Sequence, residues 1–405
     1  MGKGNEAVRD FFKKHQINYQ VYIDGDAFPD PKSYDIVVKS SGIKFNTEFL
    51  KINDKKVVSD LELSQWFDGK RNKIAVTGTN GKTTTATLIY EILSKEMKVL
   101  LAGNIGTPIF SVIEEEGIMV VEASSFMLHN VETFHPNVAV LLNIFPNHLE
   151  YHQSIANYLE DKLKMIQNTT DDDYIVYNAD DDLISLNVKS FKGKKIPFSL
   201  TRKVKGAYVD KNTIYYQNEK IIETREILIP GIHNIANILA SIIVGKIYRI
   251  KSSLIRQAIK SFKGVPHRLE VLRSRIPIIN DSKSTNPIAL LSALNCFRDK
   301  RVLLIAGGKD KNDDFSILRY NLDNVKIALL YGENKDILKS LFAGEKIDTK
   351  LYQTLDQVVD NLESHLSKID LILFSPGSSS LDQYNNFEER GNHFKELMKK
   401  WFISN

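Results

Sequence analysis

Only one cysteine, Cys296, occurs among the 405 residues. No disulfide can close within the chain, which suits a reducing compartment. Cys296 stands in the apolar helical stretch Ala293-Leu294-Asn295-Cys296-Phe297, where a buried, unreactive thiol is expected. No run approaches about 18 consecutive apolar residues, so no membrane-spanning helix is expected. The N-terminus lacks a basic stretch followed by an apolar one, so no secretory signal is expected and the chain reads as cytoplasmic. Neither sign of charge dominates: 54 Lys and Arg stand against 50 Asp and Glu, and the net charge of +4 is spread along the chain. Without a basic stripe, no nucleic-acid partner is expected. Internal repeats and low-complexity segments are also missing. What remains is 42% hydrophobic and 26% charged, a composition that builds real cores, at a length that allows two or three domains.

The most informative stretch is Lys73-Ile74-Ala75-Val76-Thr77-Gly78-Thr79-Asn80-Gly81-Lys82-Thr83-Thr84-Thr85. Ile74, Ala75 and Val76 suit a parallel strand covered on both faces. Gly78 and Gly81 allow a tight turn whose N–H groups converge, and a helix beginning at the Thr run aims its positive end at the same place. Lys82 offers a cation for phosphates, and Thr83 or Thr84 a hydroxyl for Mg²⁺. The general P-loop pattern has a Gly where this chain has Val76, so that pattern is half met.

Apolar runs followed by polar clusters organise the rest. Residues 1–69 read as a small α/β unit: Gly2 and Gly4 opening a helix with Val8, Phe11 and Phe12, a strand from Tyr19 to Ile23 ending at Asp24, and a strand Ile36-Val37-Val38 closed by Gly42. This is a dinucleotide-type half without the strand that should precede its Gly turn; that strand is either absent or encoded upstream. Residues 70–264 read as a central parallel-sheet domain. Its strands at 99–101, 119–121 and 138–142 end in clusters holding Asn104, Glu122 and His148. The carboxyl ends of parallel strands line one crevice, so Lys82, Asn104, Glu122 and His148 are expected at one site. An amphipathic helix carries Tyr158, Lys162, Met165 and Ile166. Residues 265–405 read as a third α/β unit after a hinge at Pro266-His267-Arg268. Its strand ends carry Asp281 to Pro287, Gly307 to Lys311 and Ser375 to Ser380.

These motifs together resemble the Mur ligase family. The resemblance rests on Gly78 to Thr84, Gly103-Asn104-Ile105-Gly106, Glu122 to Phe126, Leu142-Asn143-Ile144, Gly231-Ile232-His233-Asn234 and His267-Arg268. The runs Asn280 to Asn286 and Ser380 to Gly391 bring it nearest to the members that add D-glutamate to UDP-N-acetylmuramoyl-L-alanine. The resemblance implies three domains: a small Rossmann-like N-terminal domain for the UDP substrate, a central P-loop ATPase-like domain for ATP, and a C-terminal Rossmann-like α/β domain for the amino acid. It implies ATP and two Mg²⁺ ions, an acyl-phosphate intermediate and a monomer.

Residue by residue, the resemblance implies that Gly78, Thr79, Asn80, Gly81, Lys82, Thr83, Thr84, Asn234, Asn237, Arg268 and Asp281 contact ATP. Thr83, Thr84, Glu122, His148 and Lys162 hold metal, with Lys162 carbamylated. Gly2, Gly4, Asp24, Gly42 and Asn104 hold the UDP substrate. Thr285, Lys311, Ser380, Leu381 and Phe387 hold D-glutamate. Lys82, His148, Lys162 and Lys283 serve catalysis. Taken alone, Lys162 is a solvated helical lysine, Arg268 a linker charge, Asp281 a turn former and Lys311 part of a charged turn. His148, an unusual ligand for an oxygen-preferring ion, reads equally as a substrate contact. Asn147 and Tyr151 stand where the family often has Asp and Arg. The other readings are a ligase of the same family for a different amino acid or a folate, and a nucleotide-binding regulator without catalysis.

Overall fold

The computed structural model describes residues 3–23, 26–27, 29–40, 43, 50, 56–68, 71–104, 107–272, 276–311, 313–319, 321–343 and 347–404. The chain divides into two compact units, Met1–Glu226 with His233–Ser261, and Ile227–Ile232 with Phe262–Asn405.

The first unit begins with a helix, Lys3–Lys14, and a two-stranded parallel sheet of β1 (Ile36–Val38) and β2 (Lys56–Val58). A helix Asp60–Phe67 follows, capped by the Ser59 side chain on the Glu62 N–H. Val8 and Phe11 of the first helix, Val58, Leu61 and Leu63 share one core with Ala102, Ile109 and Phe110 of the central region. The stretch expected as a separate N-terminal domain therefore packs into the first unit. The strand expected at Tyr19 to Ile23 does not form: Tyr19, Val21 and Ile23 are 41%, 44% and 56% exposed, so the apolar alternation there covers no core. Gly2, Asp24 and Gly42 lie outside the described residues.

The central sheet contains β3 (Lys73–Thr77), β4 (Val99–Gly103), β5 (Ile118–Glu122), β6 (Val138–Leu141), β7 (Tyr174–Asn178), β8 (Lys194–Ser199), β9 (Ala207–Asp210), β10 (Thr213–Tyr216) and β11 (Glu219–Glu223). Its order is β11-β10-β9-β8-β7-β6-β3-β5-β4, parallel from β4 to β9 and antiparallel at the β9-β10-β11 end. The chain leaves β3 toward β4 and β5 on one side, then crosses to β6 on the other. The carboxyl end of β3 is thus the place where strand order reverses, the usual seat of a ligand crevice. Ile74, Ala75 and Val76 are fully buried, as a strand with two covered faces requires. Strands β8 to β11 extend the sheet beyond the sequence expectation. Their two-residue turns, Lys211-Asn212 and Gln217-Asn218, lack glycine, and Lys211 and Gln217 themselves take positive φ of 52° and 54°.

The second unit is a six-stranded sheet of β12 (Glu270–Leu272), β13 (Ile278–Asn280), β14 (Val302–Gly307), β15 (Val325–Tyr331), β16 (Asp348–Leu351) and β17 (Leu371–Phe374). Its order is β12-β13-β17-β14-β15-β16, all parallel except β12. Cores form on both faces: Leu304, Leu330 and Leu373 lie in one, Leu303, Leu329 and Phe374 in the other. Cys296 is half-buried rather than buried. Its Sγ–H donates to the Ser292 carbonyl at 3.2 Å, and burial pushes the thiol up to about 11, so it is unreactive as expected. No helix among the described residues is long and apolar enough to cross a membrane.

Candidate active site

The loop after β3 is held by its neighbours, not by its own turns alone. Thr79 N–H donates to the Asn143 carbonyl at 2.8 Å, and Asn80 N–H to Asn143 Oδ1 at 2.9 Å. The Asn143 amide returns a bond to the Asn80 carbonyl at 3.1 Å. Asn143 follows β6, so the strand beside β3 clamps the loop. The helix Lys82–Leu93 starts directly at Lys82, with Gly81 at its N-cap and φ of 86°. The positive φ of Gly81 favours glycine, and a Cβ here would meet Asn237 Oδ1 at 2.2 Å, so the Asn237 side chain would have to turn away. Asn237 belongs to the helix Ile232–Ile247 and donates to Asn234 Oδ1 at 3.1 Å. The sequence-expected pair Asn234 and Asn237 is thus brought against the phosphate loop. Lys82 Nζ bonds the carbonyls of Gly78 and Thr79 at 2.8 and 2.9 Å.

Beside the loop, the Glu122 carboxylate ends β5 and is 2% exposed. Thr83 Oγ1 donates to one of its oxygens at 2.7 Å, and Asn104 Nδ2 to the other at 2.9 Å. Gly103 and Asn104 reach it because β4 lies beside β5; a Cβ on Gly103, at φ 106°, would strike the Glu122 carbonyl at 2.5 Å. A hydroxyl and a carboxylate in contact are hard oxygen donors, the set that suits Mg²⁺. Thr84 is buried within the same helix.

Lys162 is no solvated lysine. It is 1% exposed, and its Nζ donates to the Gly78 carbonyl at 3.0 Å and contacts Thr77 Oγ1 at 3.4 Å. It also lies 4.6 Å from the Tyr158 ring centroid. Burial, and then the nearby Lys82 charge, hold this amine well below the usual lysine range. The helix Ile155–Leu163 that carries it is capped by Ser154 on the Asn157 N–H. Tyr158 Oη donates to Thr79 Oγ1 at 3.2 Å, tying the same helix to the loop. His148 takes φ of 52°, and its ring packs on Phe126 with centroids 4.8 Å apart. Thr83 and Asn104 both touch Glu122, while His148 is placed against an aromatic ring. In the N-terminal part, Gly4 lies against the Asp60 carboxylate, since a Cβ on it would sit 2.7 Å from Oδ2. Burial pushes that carboxyl up to about 6.

In the second unit, Asp281 is buried at the end of β13. It accepts from Ser375 Oγ at 2.8 Å and Leu269 N–H at 3.1 Å, and burial pushes it up to about 7. Lys283 is exposed and sits 4.0 Å from the Phe387 ring centroid, which joins two residues expected in different roles. Arg268 and Thr285 are half-buried, Ser380 is buried, and Lys311 and Leu381 are exposed. Sequence reasoning passed over Arg390. It is fully buried and bonds Ser282 Oγ at 3.1 Å, the Ser282 carbonyl at 2.8 Å and the Ser378 carbonyl at 3.0 Å. One guanidinium thus fixes the loops after β13 and β17. Its position among Glu388, Glu389 and Gly391 gives no hint of burial.

A profile described as the Mur ligase middle domain matches residues 76–245, and one described as Mur ligase, glutamate ligase domain, matches residues 267–377. The chain belongs to the Mur ligase family. Within it, a protein of Geobacillus sp. is 38% identical over 89% of this chain and 82% of its own length. Another, of Aquifex aeolicus, is 37% identical over 99% of this chain and 98% of its own. Both relatives are named UDP-N-acetylmuramoylalanine--D-glutamate ligase. The fold is shared with the MurF ligase of Thermotoga maritima in complex with ADP, at a TM-score of 0.64 and 18% identity, covering 93% of this chain and 97% of that one. A MurF of Acinetobacter baumannii matches at a TM-score of 0.65 and 16% identity, over 92% of each chain.

Proposed function

We propose that the chain joins D-glutamate to UDP-N-acetylmuramoyl-L-alanine with hydrolysis of ATP to ADP and phosphate. The observation that carries this reading is the Glu122 carboxylate, shared by Thr83 and Asn104 at the mouth of the phosphate loop and backed by the buried amine of Lys162. Relatives with the D-glutamate ligase name, matching nearly end to end, support the choice of substrates.

In this reading the alanyl carboxylate oxygen attacks the γ-phosphorus of ATP, ADP leaves, and an acyl phosphate forms. The D-glutamate amine then attacks the acyl carbon, loses a proton and expels phosphate. The transferring group spreads negative charge over its oxygens, so donors must already be in place. The loop N–H groups and Lys82 supply them: Lys82 moves from the Gly78 and Thr79 carbonyls to the phosphate oxygens. Mg²⁺ bound at the Thr83 hydroxyl and Glu122 carboxylate would neutralise phosphate charge. Asn104 orients Glu122 and meets the UDP substrate. Lys162, driven toward its neutral form, is the amine that can take up CO₂ as a carbamate, an anion for a second ion together with His148. Asn234, Asn237, Arg268 and Asp281 contact ATP. Thr285, Lys311, Ser380, Leu381 and Phe387 hold D-glutamate, and Lys283 steadies the phosphoryl oxygens.

The experiment is phosphate release with ATP, Mg²⁺ and UDP-N-acetylmuramoyl-L-alanine, supplying amino acids one at a time. Release that depends on D-glutamate is expected; indifference to D-glutamate refutes the reading.

A further inference from the structure

A cluster of different donors lies one residue from Lys162. The Asp161 carboxylate is 4% exposed, and its Oδ2 is 2.8 Å from Nδ1 of His129 and 2.8 Å from Nδ1 of His152. One ligand atom from each of the three residues lies within 4.8 Å of the other two. They arrive from three places: His129 follows the short helix Ser125–Leu128, His152 ends the turn Leu149–His152, and Asp161 lies on the helix of Lys162. A carboxylate only accepts, so each imidazole carries its proton on Nδ1 while these bonds stand. His152 Nε2 then accepts from Ser125 Oγ at 3.0 Å.

Two imidazole nitrogens and one carboxylate oxygen are the donors of a borderline dication, not of Mg²⁺. Ligand atoms about a tetrahedral ion with bonds of roughly 2.0–2.1 Å lie about 3.3 Å apart, so each 2.8 Å contact needs to open by about 0.5 Å. The far nitrogen of His152 already has a partner in Ser125, the support that fixes a metal-binding imidazole. Lys164 Nζ, 3.1 Å from Asp161 Oδ1, occupies the other carboxylate oxygen and leaves Oδ2 to the imidazoles. His129 is half-buried and lines a cavity of about 510 Å³ with Asn130, Glu132, Lys164 and Asn168, which puts one of the three residues within reach of solvent.

We infer that His129, His152 and Asp161 form a binding site for a borderline divalent cation of the Zn²⁺ or Co²⁺ class, separate from the oxygen donors at Thr83 and Glu122. The ion takes the place of the two Nδ1 protons. Each proton moves to Nε2 of its own ring, and His152 then donates to Ser125 Oγ, so none is released. The site links Ser125, three residues after Glu122, to Asp161, next to Lys162. It does not depend on the ligase reading.

The test is titration of the full chain with Co²⁺ in saturating Mg²⁺, followed by visible ligand-field absorption and equilibrium dialysis. One equivalent with an absorption band is expected. His129→Gln and His152→Gln each weaken binding at least tenfold, while Glu122→Gln and Thr83→Ala leave it unchanged. Circular dichroism checks the fold of each variant. His129, at the cavity edge, keeps the test decisive where His152→Gln unfolds. No band in the parent protein overturns the inference; so does a band that survives His129→Gln, or one that Glu122→Gln removes.

Discussion

Replacing Gly81 with Ala tests the joint between the phosphate loop and the helix Ile232–Ile247. Two costs are separable. The residue sits at φ 86°, and an L-residue in the left-handed region costs about 1–2 kcal/mol. The new Cβ also meets Asn237 Oδ1 at 2.2 Å; turning that side chain away forfeits its bond to Asn234, at about 0.5–1.5 kcal/mol. Gly81→Ala should therefore lower the stability of the first unit by about 1.5–3.5 kcal/mol. Asn237→Ala alone loses the 3.1 Å bond to Asn234, worth about 0.5–1.5 kcal/mol. In the double variant the clash is gone and the backbone strain stays. The double-mutant cycle should thus show a favourable coupling of about 0.5–1.5 kcal/mol. The assay is urea unfolding by tryptophan fluorescence in a Trp401→Phe background, where Trp66 reports the first unit. A Gly81→Ala variant within about 0.5 kcal/mol of the parent, or a coupling near zero, would refute the packing argument.

Three further outcomes are expected. Glu122→Gln keeps the fold but lowers turnover by about a hundredfold or more, since Thr83 and Asn104 lose an anionic partner; a Mg²⁺ titration of ATP turnover that matches the parent would contradict it. Arg390→Leu strips three bonds from the loops after β13 and β17 and should destabilise the second unit by about 1–3 kcal/mol for each carbonyl left without its donor. Arg390→Lys should not restore it, because an ammonium lacks the planar fork; thermal melts of both variants decide the matter. Asp281, pushed up to about 7, binds more protons folded than unfolded between about pH 4 and 7. Its contribution is complete below about pH 4 and fades as pH rises through 7, so Asp281→Asn should gain on the parent over that window, by a few kcal/mol at most, and hold level above it. Urea midpoints from pH 4 to 8 with equal slopes for both proteins would dismiss this.

Much of the candidate site was legible in the sequence because strand-end clusters follow from parallel topology. Reading β3, β4, β5 and β6 from apolar runs leads to Lys82, Asn104, Glu122 and His148 at one site. Asn104 does reach Glu122, with Thr83 as its other partner, while Lys82 rests on the Gly78 and Thr79 carbonyls and His148 on the Phe126 ring. What escaped was whatever depends on burial of a charge. Lys162 and Arg390 look like surface residues in sequence, and only packing removes them from water. The antiparallel end of the sheet was missed for another reason: its strands are four or five residues long from β9 onward, and its turns lack glycine. In the N-terminal stretch, alternating Tyr19, Val21 and Ile23 imitate a strand, but a period of two says nothing when no core lies beneath it.

The Gly78 carbonyl accepts from Lys82 and Lys162 at once, at 2.8 and 3.0 Å. One oxygen is shared by two amines. Burial, and after it the Lys82 charge, lower the Lys162 amine, so the two lysines that share this acceptor also disfavour each other's charge. The phosphate loop and the helix of Lys162 are thus tied at a single atom, and whatever draws Lys82 off that oxygen leaves it to Lys162 alone.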